Sequence, residues 1–167
     1  ILYLPVAYCV TDFFQIPFDW KIYNYLQWFG GLASTIAFYS LLRSVSSSKT
    51  MVVVGVLGLV TSHLFLGNAM DGSEFNWGLA CVIIALRFLL GGFRKPEEAP
   101  WRAIIISTIF GAVATGFRQE FIFVFVIYPL FFYMHPCLSL RNLLQWLPAA
   151  ILAGIAVWLP VLIQNSH

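Results

Sequence analysis

Residues 76–93 read NWGLACVIIALRFLLGGF, eighteen positions that carry a single charge, Arg87. A hydrocarbon core about 30 Å thick needs roughly 20 apolar residues of helix, at 1.5 Å each, to cross it. This run is close to that length and reads as a membrane-spanning helix. Working outward, the uncharged or nearly uncharged runs at about 22–42, 50–67, 103–117, 121–134 and 143–164 read the same way. The expected fold is all-α: a polytopic transmembrane helical bundle of about six spans, forming a single domain over 1–167. Residues 1–18 are aromatic and apolar but broken by Pro5, Asp12 and Pro17. They read as an N-terminal interfacial segment rather than a full span. Runs 103–117 and 121–134 are short, and their junction is expected below the membrane surface.

Composition argues the same way. Hydrophobic residues make up 60% of the 167, charged residues 10%, and the mean hydropathy is +0.86. A soluble domain carries roughly 25% charged residues, so a water-exposed globule is excluded. A net charge of +2 is too small for a nucleic-acid partner. Cys9, Cys81 and Cys137 show no CxxC spacing, and imply neither a metal site nor a disulfide framework. Ile1 to Val10 has no basic flank or small-residue cleavage site, so it is not a signal peptide. The chain is expected to be an internal fragment of a larger membrane protein.

Orientation follows from the basic residues, which concentrate in cytoplasmic loops. Loops 43–49 (Arg43, Lys49), 94–102 (Arg94, Lys95, Arg102) and 135–142 (Arg141) hold six of the nine, and are expected inside. The other face keeps Lys21 and Arg118, and it collects five of the seven acids: Asp12, Asp19, Asp71, Glu74 and Glu120. Glu97 and Glu98 stay inside, where Arg94, Lys95 and Arg102 can pair with them.

That outer face is where function is expected. Asp71-Gly72-Ser73-Glu74 sets two carboxylates around a flexible turn just before a helix. They either cap that helix, whose dipole favours acids there, or bind a sugar hydroxyl, a metal ion or a proton in a polar cavity. Arg118-Gln119-Glu120 sits between two apolar runs with almost no loop. Charges so close to hydrocarbon face a cavity or pair with one another. The planar fork of Arg suits phosphate, and the alternative is a local Arg118–Glu120 ion pair. Arg87 can snorkel to the headgroups. His63 is expected to be a hydrogen-bonded structural residue, and His135 before Pro136 a helix stop. Trp20, Trp28, Trp77, Trp101 and Trp146 fall near span ends, as aromatic belts do. Gly30-Gly31, Gly55 with Gly58, and Gly111 with Gly116 are expected to permit close helix packing. No HExxH, GxSxG, GxGxxG or Walker pattern is present.

The order of these features resembles a known family, the multi-span GT-C fold glycosyltransferases that use polyprenyl-phosphate-linked sugars. Residues 68–79, NAMDGSEFNWGL, are similar to the family's small-residue turn with Gly and an acid between spans. Residues 111–123, GAVATGFRQEFIF, are similar to its Arg-x-acid step. The opening ILYLP, ahead of LAST at 32–35, is similar to the stretch leading into its second span. Gln119 departs from the Pro often found between the Arg and the acid.

The resemblance implies sugar transfer from a polyprenyl-phosphate donor to an acceptor on the non-cytoplasmic face of a bacterial or archaeal membrane. It implies membrane lipid and the lipid-linked donor as partners. Arg118 would hold the donor phosphate and Glu120 would fix Arg118. Glu74 or Asp71 would orient the acceptor, the sugar or a divalent metal ion, the one candidate cofactor. The family's catalytic acid lies in a first outer loop, expected upstream of Ile1, and no residue here is assigned as catalytic or as a metal ligand. Two other readings stand beside it: a secondary transporter or flippase, and a non-catalytic membrane assembly subunit.

Overall fold

The computed structural model describes residues 12–13, 20–70, 74–93 and 99–164. Most of the N-terminal stretch, Asp71, Arg94, Lys95, Glu97 and Glu98 lie outside the described residues. Within them the chain is all-helical, with no strand. Helix α1 covers Trp20–Val45, α2 Lys49–Val60, α3 His63–Met70, α4 Phe75–Gly92 and α5 Trp101–Phe117. A 3-10 helix over Gln119–Val126 runs into α6, Ile127–Met134, and α7 covers Leu140–Gln164. Among the described residues two helices are long and apolar enough to cross a membrane: α4, and α7 over Leu140–Leu159. Helix α2, α5 and the stretch Gln119–Met134 are apolar but shorter.

Two expected spans differ in detail. Run 50–67 is two helices, because two adjacent hydroxyls compete with the backbone ladder. Thr61 Oγ1 donates to Leu57 O at 2.7 Å and Ser62 Oγ to Leu59 O at 2.8 Å. Ser62 Oγ then accepts from Phe65 N at 3.3 Å and so starts α3, as an N-cap serine does. Run 121–134 is helical throughout, but its first half is the tighter-wound, longer-rising 3-10 form. Its end matches the expected stop: α6 finishes at Met134 with extended backbone at His135.

Helix α5 is the centre of the bundle. One flank is lined by buried small residues, Ser107, Thr108, Gly111, Ala112, Ala114, Thr115 and Gly116, which let neighbours approach closely. The most extensive interface in the chain is α4 on α5. Phe88 stacks on Phe110 near one end and Trp77 on Phe117 at the other, an antiparallel register. The 3-10/α6 stretch returns along α5, with a 2.6 Å hydrogen bond between Ser107 Oγ and Tyr128 Oη. Trp146 Nε1 donates to Thr108 Oγ1 at 2.8 Å and so fixes α7 on the same helix. On the far side of α4, α1 packs where Gly30 leaves room for the Trp77 indole; a methyl group at 30 would lie 2.8 Å from that ring.

The tryptophan expectation needs correction. Trp146 is 6% exposed, inside a cluster with Tyr128, Phe131 and Phe132, so it is a core residue and not a belt anchor. Trp77 is half-buried, with Nε1 donating to Leu26 O at 3.0 Å. Trp28 is exposed, and the Trp20 side chain lies outside the described ones. A methyl group at 58 would meet nothing within 4 Å among the described residues, so no close helix approach there requires the glycine, whereas one at 55 would meet Leu42.

Outward-facing positions are apolar on helix after helix. Met51, Val53, Val54 and Leu57 are exposed on α2, Ile105 and Ile109 on α5, and Leu144, Leu147, Ile151, Leu152, Ile155 and Leu159 on α7.

Candidate functional site

The corner after α5 is built on a single extended residue. Arg118 leaves the helical region (φ −145°, ψ 126°) while its N–H still donates to Ala114 O at 3.0 Å. The 3-10 helix begins at once, with Phe121 N donating to Arg118 O at 3.0 Å. No loop intervenes, so Arg118 and Glu120 project from a rigid turn. Arg118 Nε lies 3.6 Å from Glu120 Oε2, and the side chains are 37% and 65% exposed. An ion pair so open to solvent contributes at most about 1 kcal/mol. Its better use is orientation: it holds one edge of a guanidinium whose other donors can reach a ligand.

Glu74 belongs to the same end of the bundle. It occupies the turn before α4, half-buried, and its side chain makes no capping hydrogen bond to that helix. The capping alternative is therefore not the one its side chain adopts. Three aromatic contacts tie the start of α4 to the corner. Phe75 and Phe121 have ring centroids 5.4 Å apart, Trp77 stacks on Phe117 at 6.4 Å, and the Phe121 ring lies directly over Gly78. The last contact explains the glycine, since any Cβ at 78 would overlap that ring. Glu74, Arg118 and Glu120 thus converge on one rim, and Asp71, three residues before Glu74, lies outside the described residues.

Other sequence candidates fall elsewhere. His63 is exposed at the first residue of α3, at the opposite end of that helix from Met70. Arg87 is exposed towards the opposite end, where it shares a cleft with Arg102. Among the described residues no three His, Cys, Asp or Glu stand together as metal ligands.

Beside the corner an apolar groove of about 600 Å³ runs between the 3-10/α6 stretch and α7. Its walls include Ile122, Phe125 and Pro129 on one side and Leu143, Leu147, Ile151 and Trp158 on the other. Helix α7 starts after five residues that follow the end of α6, at the Trp101 end of α5, and passes Thr108 at Trp146, so it runs in the same direction as α5 and the Trp158 end of the groove is the Arg118 end. There the lining turns polar, with Thr115 and Gln119. Leu143 to Trp158 spans about 22 Å of helix.

The chain matches no family model, no curated protein and no solved structure. The site must be read from its own chemistry.

Two residues of interest were missed in the sequence. Gln27 and Asn76 are fully buried, and neither carboxamide has a hydrogen-bond partner. Asn76 lies two residues past Glu74, with its Nδ2 3.7 Å from a methyl position on Gly31, and its backbone O accepts from Ser34 Oγ. The available signal was a carboxamide inside each apolar run, since such groups are costly in a dry interior.

Proposed function

We propose that this chain is part of a polytopic membrane glycosyltransferase, which moves a sugar from a polyprenyl-phosphate donor to an acceptor on the non-cytoplasmic face. The observation that carries the reading is the apolar groove that ends in polar residues at the Arg118 corner. A polyprenyl phosphate has that shape and polarity, a long hydrocarbon chain joined to one charged end. The groove takes the chain against Phe125, Leu147 and Ile151, and Arg118, beside Gln119, meets the phosphate.

The membrane setting is supported by the outer surface. Burying an aliphatic side chain is worth about 1.5–3 kcal/mol, so the exposed leucines and isoleucines on α7 alone would forgo several kcal/mol in water. A bilayer removes that penalty. In it α1, α2 with α3, α4, α5, the 3-10/α6 stretch and α7 make the six crossings, with loops 43–49, 94–102 and 135–142 on the cytoplasmic side.

In the transfer step the bond between the sugar's anomeric carbon and the phosphate oxygen breaks as the acceptor oxygen bonds to that carbon, and the acceptor hydroxyl's proton leaves to water. Negative charge builds on the departing phosphate, and Arg118 is placed to stabilise it. Glu120 keeps the guanidinium aimed. Glu74, and Asp71 with it, orients the acceptor or the sugar.

The test is Arg118→Lys in the full-length protein, assayed for transfer from a polyprenyl-phosphate sugar in membranes. Lysine keeps the charge and loses the paired donors, so transfer should fall about tenfold to a hundredfold while insertion stays intact. Unchanged transfer removes Arg118 from the mechanism. Loss of solute uptake in the same variant, with no transfer in the parent, would favour a transporter instead.

A further inference from the structure

At the opposite end of the bundle from Arg118, α1, α4 and α5 enclose a cleft of about 360 Å³. Arg87 from α4 and Arg102 from the first turn of α5 both line it, with Phe88, Gly91 and Ile106. We propose that this cleft binds the phosphate of an anionic membrane lipid. The inference rests on the membrane setting above but not on glycosyl transfer.

Two guanidinium groups facing one cleft repel each other unless something negative lies between them. Among the described residues neither takes part in an ion pair. The start of α5 adds to the positive field. Pro100 precedes the helix and supplies no side-chain cap, so the positive end of the helix dipole stands at the cleft with Arg102. A phosphodiester held by two planar forks is the arrangement arginine favours.

The surroundings select a lipid over free phosphate. Phe88 and Ile106 make the wall beneath the charges apolar. Leu90 and Ile105, next to the lining residues on α4 and α5, are exposed and offer a lipid-facing path for acyl chains. The space beside Gly91 is open: a methyl group there would meet nothing within 4 Å, and a longer side chain would occupy the entrance. Residues 43–49 and 99–102 flank this end, so the lipid would come from the cytoplasmic leaflet, whose anionic headgroups attract basic residues.

The experiment is native mass spectrometry of the full chain released from micelles that contain phosphatidylglycerol, phosphatidylcholine or inorganic phosphate. The parent should retain phosphatidylglycerol at least tenfold more than phosphatidylcholine, since one charge-assisted hydrogen bond is worth about that factor. The pair Arg87→Gln and Arg102→Gln should abolish the preference. Gly91→Leu should abolish it too while keeping both charges, and its added side chain enters open space, so folding is preserved. Arg141→Gln, a basic change on α7 outside the cleft, should leave the preference unchanged. Retention by Gly91→Leu, or an equal loss in Arg141→Gln, would reduce the effect to diffuse positive charge and overturn the proposal. Inorganic phosphate retained as well as phosphatidylglycerol would overturn the lipid assignment.

Discussion

The hydrogen bond between Trp146 and Thr108 is the best place to test the fold, because it fixes α7 and with it one wall of the groove. The indole is 6% exposed, donates at 2.8 Å, and stacks on Tyr128 with centroids 4.6 Å apart and planes 15° from parallel. Thr108 Oγ1 is spoken for on its donor side, since it donates to Ile104 O at 2.7 Å. Trp146→Phe keeps an aromatic ring in the stack and removes the bond, so it should cost about 1–2 kcal/mol. Thr108→Val leaves a buried indole N–H with no acceptor, a penalty of about 1–3 kcal/mol. In the double variant the penalties overlap, since nothing is left to strand. Hydrogen bonds between helices in lipid couple by about 0.6–1.7 kcal/mol, so a coupling near 1 kcal/mol is expected. The assay is reversible unfolding in mixed micelles titrated with dodecyl sulfate, followed by helical circular dichroism. Strictly additive single effects, within about 0.3 kcal/mol, would refute the docking of α7 on α5 at this register.

Two other predictions address the rim. Glu74→Cys and Gln119→Cys should both react with a membrane-impermeant maleimide from the outside of intact cells, and Ser47→Cys only after permeabilisation; labelling of 74 and 119 from opposite sides would separate the residues that the aromatic contacts join. Asn76→Leu and Gln27→Met each remove a buried carboxamide without partners, so the unfolding free energy in the dodecyl sulfate titration should stay level or rise, by up to about 2 kcal/mol, and a fall of that size would mean that the amides hold a bound polar molecule.

Much of the helical content could be read from the sequence, because long apolar runs are separated by short polar or charged breaks. Arg118 with Glu120 was legible as a local pair, since three residues between two helices leave little else for them to reach. What escaped has a physical reason in each case. The break at Thr61 and Ser62 depends on hydroxyls turning back to carbonyls, which a hydropathy profile averages away. Trp146 has the composition of a belt residue, and only the position of Thr108 on a helix 38 residues earlier makes it a core donor. The cleft that joins Arg87 to Arg102 needs α4 and α5 side by side, so no stretch of chain contains it. The joining of Glu74 to the Arg118 corner depends on Gly78 admitting Phe121, an absence of side chain that spacing alone does not signal.

The 3-10 helix links local geometry to the site. Run 119–134 has sixteen residues, about 24 Å as α-helix and several Å short of a 30 Å hydrocarbon layer. In a bilayer that shortfall would pull the Arg118 corner inward, where desolvating two charges costs several kcal/mol. Eight of those residues adopt the 3-10 form, which rises about 2.0 Å per residue, and the crossing lengthens to about 28 Å. In a bilayer the corner would be raised by roughly 4 Å, about three quarters of an α-helical turn. The poorer hydrogen-bond geometry of a 3-10 helix is tolerated because Ser107–Tyr128 and the Val124 contact at Gly111 pin the stretch to α5. In that setting a short, bulky sequence, FIFVFVIY over 121–128, would hold a guanidinium and a carboxylate at a rim instead of in hydrocarbon. A phosphate arriving on a lipid chain would be met at that height.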